Sequence, residues 1–326
     1  MKNVISIGEA LIDFIPNKKG CPLKQVDSFQ RVCGGAPTNV SAVISKLGGN
    51  SKIITKLGKD AFGDFIIDTL NSLNVDTSCI LRTDIANTCL AFVSLKENGN
   101  RDFSFYRNPS ADMLLDKTEL QSKWFDDIGI LHFCSVALAE SPMKYAHIEA
   151  IKMAKQHDAI ISFDPNVRLP LWKNHKECKD TINEFIKYAD ILKISDEEIE
   201  FITGMDIYKA SEKLFNENNV KIILYSMGKD GAMILTKNAK IVVPSVDVSV
   251  KDTTGAGDSI IGAFLYCLCK DNISAKNLDS ISNEKLKEYL KFANYYASYS
   301  TMGSGAINSY ANLEQITDFI ADKERS

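Results

Sequence analysis

Nowhere in the 326 residues does G-x-x-x-x-G-K-[S/T] occur, which excludes a P-loop as a phosphate site. No G-x-G-x-x-G follows the first apolar strand, which speaks against a dinucleotide oxidoreductase. Histidine is scarce, at four, and the eight cysteines (21, 33, 79, 89, 134, 178, 267 and 269) contain no C-x-x-C pair. Without ligand-like spacing no zinc site is expected, and the cysteines read as reduced, mostly buried thiols of a cytoplasmic protein. Basic charge is not in excess: the net charge of −4 argues against nucleic acid as a partner. No apolar run reaches about 18 residues, so no membrane-spanning helix is expected. Met1 to Pro16 is apolar but broken by Glu9 and Asp13, unlike a signal peptide. The sequence shows no internal repeat, low-complexity tract or flexible linker.

What is present is an ordinary globular composition, 45% hydrophobic and 25% charged. The length suits one large α/β domain, alone or with a small appendage. Apolar strands are expected at 4–7, 52–57, 128–134, 159–163, 191–194 and 221–226. Helical spacing is expected at 38–47, 61–73, 142–157, 181–188, 197–203, after Asp258 and at 286–300. Strands alternating with helices predict a mainly parallel sheet covered on both faces. Two segments break the rhythm. Residues 11–33 hold short β-prone pieces, and 86–107 read as a hairpin turning at Glu97-Asn98-Gly99-Asn100. Together they are expected to form a small sheet acting as a lid, which would exclude water from a reaction.

Asp252-Thr253-Thr254-Gly255-Ala256-Gly257-Asp258 leads directly into the apolar run Ser259 to Leu265. Glycines thus sit where a loop becomes a helix, whose first amides lack intrahelical partners and favour an anion. A carboxylate in such a cradle makes sense as a base that takes a proton from a hydroxyl beside a bound phosphoryl group. A bare G-A-G-D could equally be a turn with Asp as helix cap. A second constellation is Gly34-Gly35-Ala36-Pro37-Thr38-Asn39, two glycines before a helix with Asn39 in its first turn, suited to a polyol.

Gly34 to Asn39 resembles the first signature of the PfkB, ribokinase-like, sugar kinase family, and Asp252 to Phe264 resembles its second. The resemblance covers essentially the whole chain, 1–326. It implies an α/β ribokinase-like three-layer sandwich with a small β-sheet lid, and transfer of a phosphoryl group from ATP with Mg²⁺. By that resemblance Asp258 is the base, and Gly255, Ala256 and Gly257 form the anion hole. Asp13, Gly34, Gly35 and Asn39 contact the sugar. Lys193-Ile194-Ser195-Asp196-Glu197-Glu198 falls at a magnesium-linked N-x-x-E motif, with Ser195 in place of Asn and Glu198 kept, directly or through water. Ser226, Gly228, Gly231 and Asn294 fall beside the nucleotide. Asp252 and Thr254, with the loop near 303–305, resemble a potassium site.

Phe163 to Trp172 resembles the D-P-N-x-R-x-x-L-W segment of fructokinases and ketodeoxygluconate kinases. With Glu9 to Pro16, it makes fructokinases the nearest group. Asn166 and Arg107 are implied sugar contacts, and Arg168 is expected to face the transferring phosphoryl group. In a sugar-acid kinase both arginines could instead meet a carboxylate. A ketodeoxygluconate kinase, an aminoimidazole riboside kinase and a non-catalytic sugar sensor are the alternatives. An exposed lid edge would invite a homodimer.

Overall fold

In a strand, successive side chains point to opposite faces, so a strand covered on both sides must be apolar throughout. The computed structural model, which describes residues 1–17, 20–95 and 101–325, follows that rule. The first half of the chain forms β1 (Asn3–Ile7), β2 (Leu11–Pro16), β3 (Phe29–Gly34), α1 (Ala36–Lys46), β4 (Ser51–Gly58) and α2 (Ala61–Ser72). It continues with β5 (Ile80–Thr83), β6 (Cys89–Leu95), β7 (Arg101–Tyr106), β8 (Ile128–Cys134), α3 (Pro142–Gln156) and β9 (Ile160–Asp164). Then come α4 (His175–Ile186), β10 (Ile191–Ser195), α5 (Asp196–Thr203), α6 (Ile207–Glu217) and β11 (Ile222–Ser226). The last elements are β12 (Ala232–Leu235), β13 (Lys240–Val243), α7 (Ala256–Lys270), α8 (Asn283–Ser300) and α9 (Leu313–Arg325).

Nine strands make one sheet in the order β13-β12-β11-β10-β9-β8-β1-β4-β5, parallel except where β12 and β13 join antiparallel. Val4, Ile160, Ile191 and Ile222 point into one core with α1, α7 and α8. Their neighbours Ile5, Ile161, Leu192 and Ile223 point into a second core with α3, α4, α5 and α6. Two cores on opposite faces of one sheet are the three layers that the alternating pattern predicts.

The two irregular segments pair as a separate sheet in the order β3-β2-β6-β7. Its aromatic face is built from Phe14 stacked on Phe92 at 4.7 Å, with Phe29 edge-on to both. The expected turn at Glu97 to Asn100 lies outside the described residues. Several points differ from expectation. Helix α4 begins at His175, capped by Asn174, six residues before the expected start at 181. Its first turns, His-Lys-Glu-Cys-Lys-Asp, are too polar to show a helical stripe. Strand β5, the antiparallel pair β12–β13 and helices α6 and α9 were not anticipated at all.

Candidate active site

Parallel strands deliver their C-terminal ends to one edge of the sheet, where ligands of open α/β folds bind. That edge collects Asp164 at the end of β9, Lys193 near the end of β10 and Ser226 at the end of β11. Above it, α1 and α7 pack side by side. Their close approach needs Gly262, because a Cβ there would lie 2.9 Å from Val43. This contact places Asn39, in the first turn of α1, against Asp258, in the first turn of α7. Asn39 Nδ2 donates to Asp258 Oδ2 at 2.8 Å, although 219 residues separate them. The two sequence constellations therefore form one site.

Gly255, at φ 73°, is the N-cap of α7, so Asp258 is the third helical residue and not the cap. The Ala256 amide donates to Thr253 O at 3.2 Å, closing the turn. The amides of Gly257 and Asp258 have no hydrogen-bond partner among the described residues. Of the expected trio, Ala256 spends its amide on Thr253 O, while the Gly255 and Gly257 amides make no hydrogen bond among the described residues. Burial raises the Asp258 carboxyl above its ordinary value, while the Asn39 amide, Lys193 and Arg168 oppose the rise. Asp258 Oδ1 has no hydrogen-bond partner among the described residues.

Lys193 Nζ sits 3.0 Å from Asp164 Oδ2. Burial still pushes the Asp164 carboxyl up to about 7. Burial would raise Glu198 too, but Lys193 and the hydrogen bonds from Ser195 and Val167 outweigh it and hold that carboxyl low. Glu198 Oε1 accepts from Val167 N at 2.9 Å, and Oε2 accepts from Ser195 N at 2.9 Å and Ser195 Oγ at 3.0 Å. Glu198 therefore fastens the start of α5 to the segment that carries Asn166 and Arg168. Arg168 Nη1 donates to Val167 O at 3.0 Å. Asn166 takes φ 40°, a conformation Asn tolerates, and its amide donates to Asp164 Oδ1 at 3.1 Å.

On the sugar side, Gly34 has no room for a side chain, because a Cβ there would collide with the Asp13 carboxylate. Gly35, at φ 105°, is the N-cap of α1. Arg107, expected as a sugar contact, is paired with Asp112. Its guanidinium is buried, with Nε and Nη2 donating to Asp112 Oδ2 at 2.9 and 2.6 Å and Nη1 to Val136 O at 2.9 Å. Three of its five donors are thus engaged inside the protein.

Ser226, Gly228, Gly231 and Asn294 all line a cavity of about 710 Å³ that also touches Ala256 and Gly257. Asn294 Nδ2 is engaged with Pro244 O at 2.6 Å. Asp252 Oδ1 accepts from Thr254 Oγ1 at 2.6 Å and Oδ2 from Gly305 N at 3.1 Å, joining the loop 303–305 to the start of the second constellation. Among the described residues no three or more His, Cys, Asp or Glu cluster as a ready metal cage.

Residues 1–313 match the family described as pfkB family carbohydrate kinase. The chain belongs to that family. Among its relatives, probable fructokinase-5 of Arabidopsis thaliana is 41% identical over 307 residues, covering 93% of each chain. The structure of a fructokinase with bound ATP from Xylella fastidiosa superposes with a TM-score of 0.91 at 30% identity, covering 99% of each. A fructokinase double mutant from Vibrio cholerae O395, solved with fructose, ADP and a potassium ion, gives 0.87 at 31% identity over 98% of each.

Within this pfkB kinase, three residues at the site carried no role in the sequence reading. Glu9 is 1% exposed, accepts from Ala36 N at 3.1 Å through Oε1, and leaves Oε2 without a hydrogen-bond partner among the described residues. Tyr310 is buried and donates to Gly255 O at 3.1 Å, bracing the cap of α7. Lys193 is the third. A charge inside an apolar strand was the available signal for Lys193, and Glu9 showed the same signal just after β1. Nothing comparable marks Tyr310, whose partner lies 55 residues away.

Proposed function

We propose that the protein is an ATP-dependent fructokinase that forms fructose 6-phosphate, with Asp258 as the base. The observation that carries the reading is the 2.8 Å contact of Asn39 with Asp258 at the amide-rich start of α7. A sugar hydroxyl held by Asn39 and Asp13 gives its proton to Asp258 Oδ1 as its oxygen bonds to the γ-phosphorus. The bond from that phosphorus to the bridging oxygen breaks, and ADP leaves. The Gly257 and Asp258 amides hold the phosphoryl oxygens as charge moves among them. Arg168 adds a cation from the segment after β9. The relatives' fructose, ATP and ADP support this assignment of substrates.

The donor set fits a hydrated Mg²⁺. Glu198 is held ionised, and each of its oxygens already accepts an N–H, which suits contact through water. When bound, the ion neutralises the nucleotide's phosphate oxygens. Asp252 and Thr254 are proposed to serve K⁺, and equal rates with and without K⁺ would end that idea. The internal pairing of Arg107 favours a neutral sugar over a sugar acid, since it removes one of the two cations that could meet a carboxylate.

ADP release from MgATP is to be compared with fructose, ketodeoxygluconate, ribose and aminoimidazole riboside. The highest kcat/KM is expected with fructose. A preference for ketodeoxygluconate would overturn the sugar assignment, and silence with all four would reopen the sensor reading. Among the described residues no helix is long and apolar enough to cross a membrane. The cytoplasm is proposed as the compartment, in keeping with eight free cysteines, and fractionation elsewhere would refute it. The small sheet, where Tyr106 is 65% exposed, is proposed as a lid and as a homodimer contact. Light scattering at monomer mass would refute the dimer.

A further inference from the structure

Strand β10 reads Ile191-Leu192-Lys193-Ile194-Ser195, a single charge within an apolar run buried on both faces. A buried ion pair is a poor source of stability, because desolvation offsets most of the attraction. A lysine retained there needs another reason. Its position supplies one. The ammonium is anchored by Asp164 at 3.0 Å, and a Cβ on Gly257 would lie 3.1 Å from Nζ. Lys193 Nζ therefore lies directly beneath the residue whose amide opens the anion site. The charged groups facing it are Asp164 from β9, Glu198 from α5 and Asp258 from α7, and Arg168, from the segment after β9, faces Asp258 in turn. His132 on β8 also faces it and is neutral, since burial and Lys193 push its pKa down to about 3. Three carboxylates thus share two cations, and one of those cations is Lys193. Without it, the acids would repel one another and the charge that shifts during phosphoryl transfer.

We propose that Lys193 is a positioning residue for phosphoryl transfer: its ammonium, fixed by Asp164, supplies the positive charge that sets Asp258 and the first amides of α7 for the reaction. The proposal rests on the reading of Asp258 as the base. It acts through Asp258 and Gly257, so it makes the transition state easier to reach and leaves ground-state binding nearly untouched.

The test uses Lys193→Met, Lys193→Arg, Asp258→Asn and the double variant Lys193→Met/Asp164→Asn, assayed with MgATP and fructose across pH. Lys193→Met should lower kcat about 10²-fold, the scale of one lost transition-state donor. Both KM values should stay within about 3-fold, since ground-state contacts are untouched. The acid limb of kcat should move to higher pH, because a cation that favours the ionised Asp258 is gone. Lys193→Arg should recover part of the rate. The double variant removes the orphaned Asp164 charge and so guards the fold, and it should stay about as slow as Lys193→Met. A double variant with wild-type kcat, or an unmoved acid limb, overturns the proposal by showing that Lys193 merely neutralises Asp164. If Asp258→Asn is slow while the double variant is fast, only this proposal fails. If Asp258→Asn is itself fast, the reading beneath it fails as well.

Discussion

Glu9 gives the protein a buried acid whose ionisation should weaken the fold as pH rises. The residue is fully enclosed, and burial lifts its carboxyl from an ordinary value of 4.5 to about 7 against the pull of Arg107. Asp112 adds to the rise, and the Ala36 amide opposes it. The folded-state value lies above the unfolded one. The protonated acid is therefore favoured by folding, and its contribution is fully present below about pH 4.5. That contribution is lost as pH climbs through about 7. At about 1.4 kcal/mol per pH unit, the displacement corresponds to about 3 kcal/mol, an order-of-magnitude figure. Glu9→Gln keeps an oxygen for the Ala36 amide and removes the charge. Urea unfolding of both proteins from pH 5 to 8.5 isolates the group, because other titrations cancel in the difference. The Gln variant should gain on the wild type by about 2 to 3 kcal/mol over that range. A difference that stays flat, or that moves against the Gln variant at high pH, would show that Glu9 is ionised in the fold and refute the reasoning.

Two further outcomes follow from the contacts at the site. Asn39→Ala removes a hydrogen bond to an ionised acceptor, worth about 1.5–3 kcal/mol, so kcat/KM for the sugar should fall by about 10- to 100-fold. The acid limb of its pH profile should move upward, since that bond favours the ionised Asp258; a profile that moved downward would contradict the pairing. Gly34→Ala puts a methyl group against the Asp13 carboxylate, so KM for the sugar should rise, with a stability loss of about 1–3 kcal/mol in urea unfolding. An unchanged KM would remove Asp13 from the sugar site.

The layered sheet was legible because its strands are buried on both faces, and runs such as Ile160-Ile161 and Ile222-Ile223 have no other easy explanation. Glycine-led helix starts at 35 and 255 were legible for the same local reason. Much of what escaped the sequence was either too polar or too distant. Helix α9 buries only Ile316, whereas α6 carries an apolar stripe of Ile207, Ala210, Leu214 and Phe215 whose signal was missed. The pair β12–β13 consists of four-residue strands, too short for alternation to register. Arg107 suits a pocket as well as an internal ion pair by its type, and only the structure reveals Asp112 as its partner. That the Ala256 amide is spent on Thr253 O escaped for a finer reason: which amide a turn consumes depends on backbone geometry that G-A-G-D does not encode. Lys193 and Asp164 stand 29 residues apart, and their meeting follows from β9 and β10 being neighbours in the sheet.

The most direct test of the central claim is kcat for fructose phosphorylation by Asp258→Asn. The substitution is nearly isosteric, keeps an oxygen for the Asn39 amide and removes a buried charge. Burial holds the wild-type carboxyl above its ordinary value, so the variant should unfold no more easily than the wild type above neutral pH. Its kcat should fall by about 10²-fold or more, as expected for loss of a general base. A folded Asp258→Asn enzyme with near-normal kcat would contradict the account.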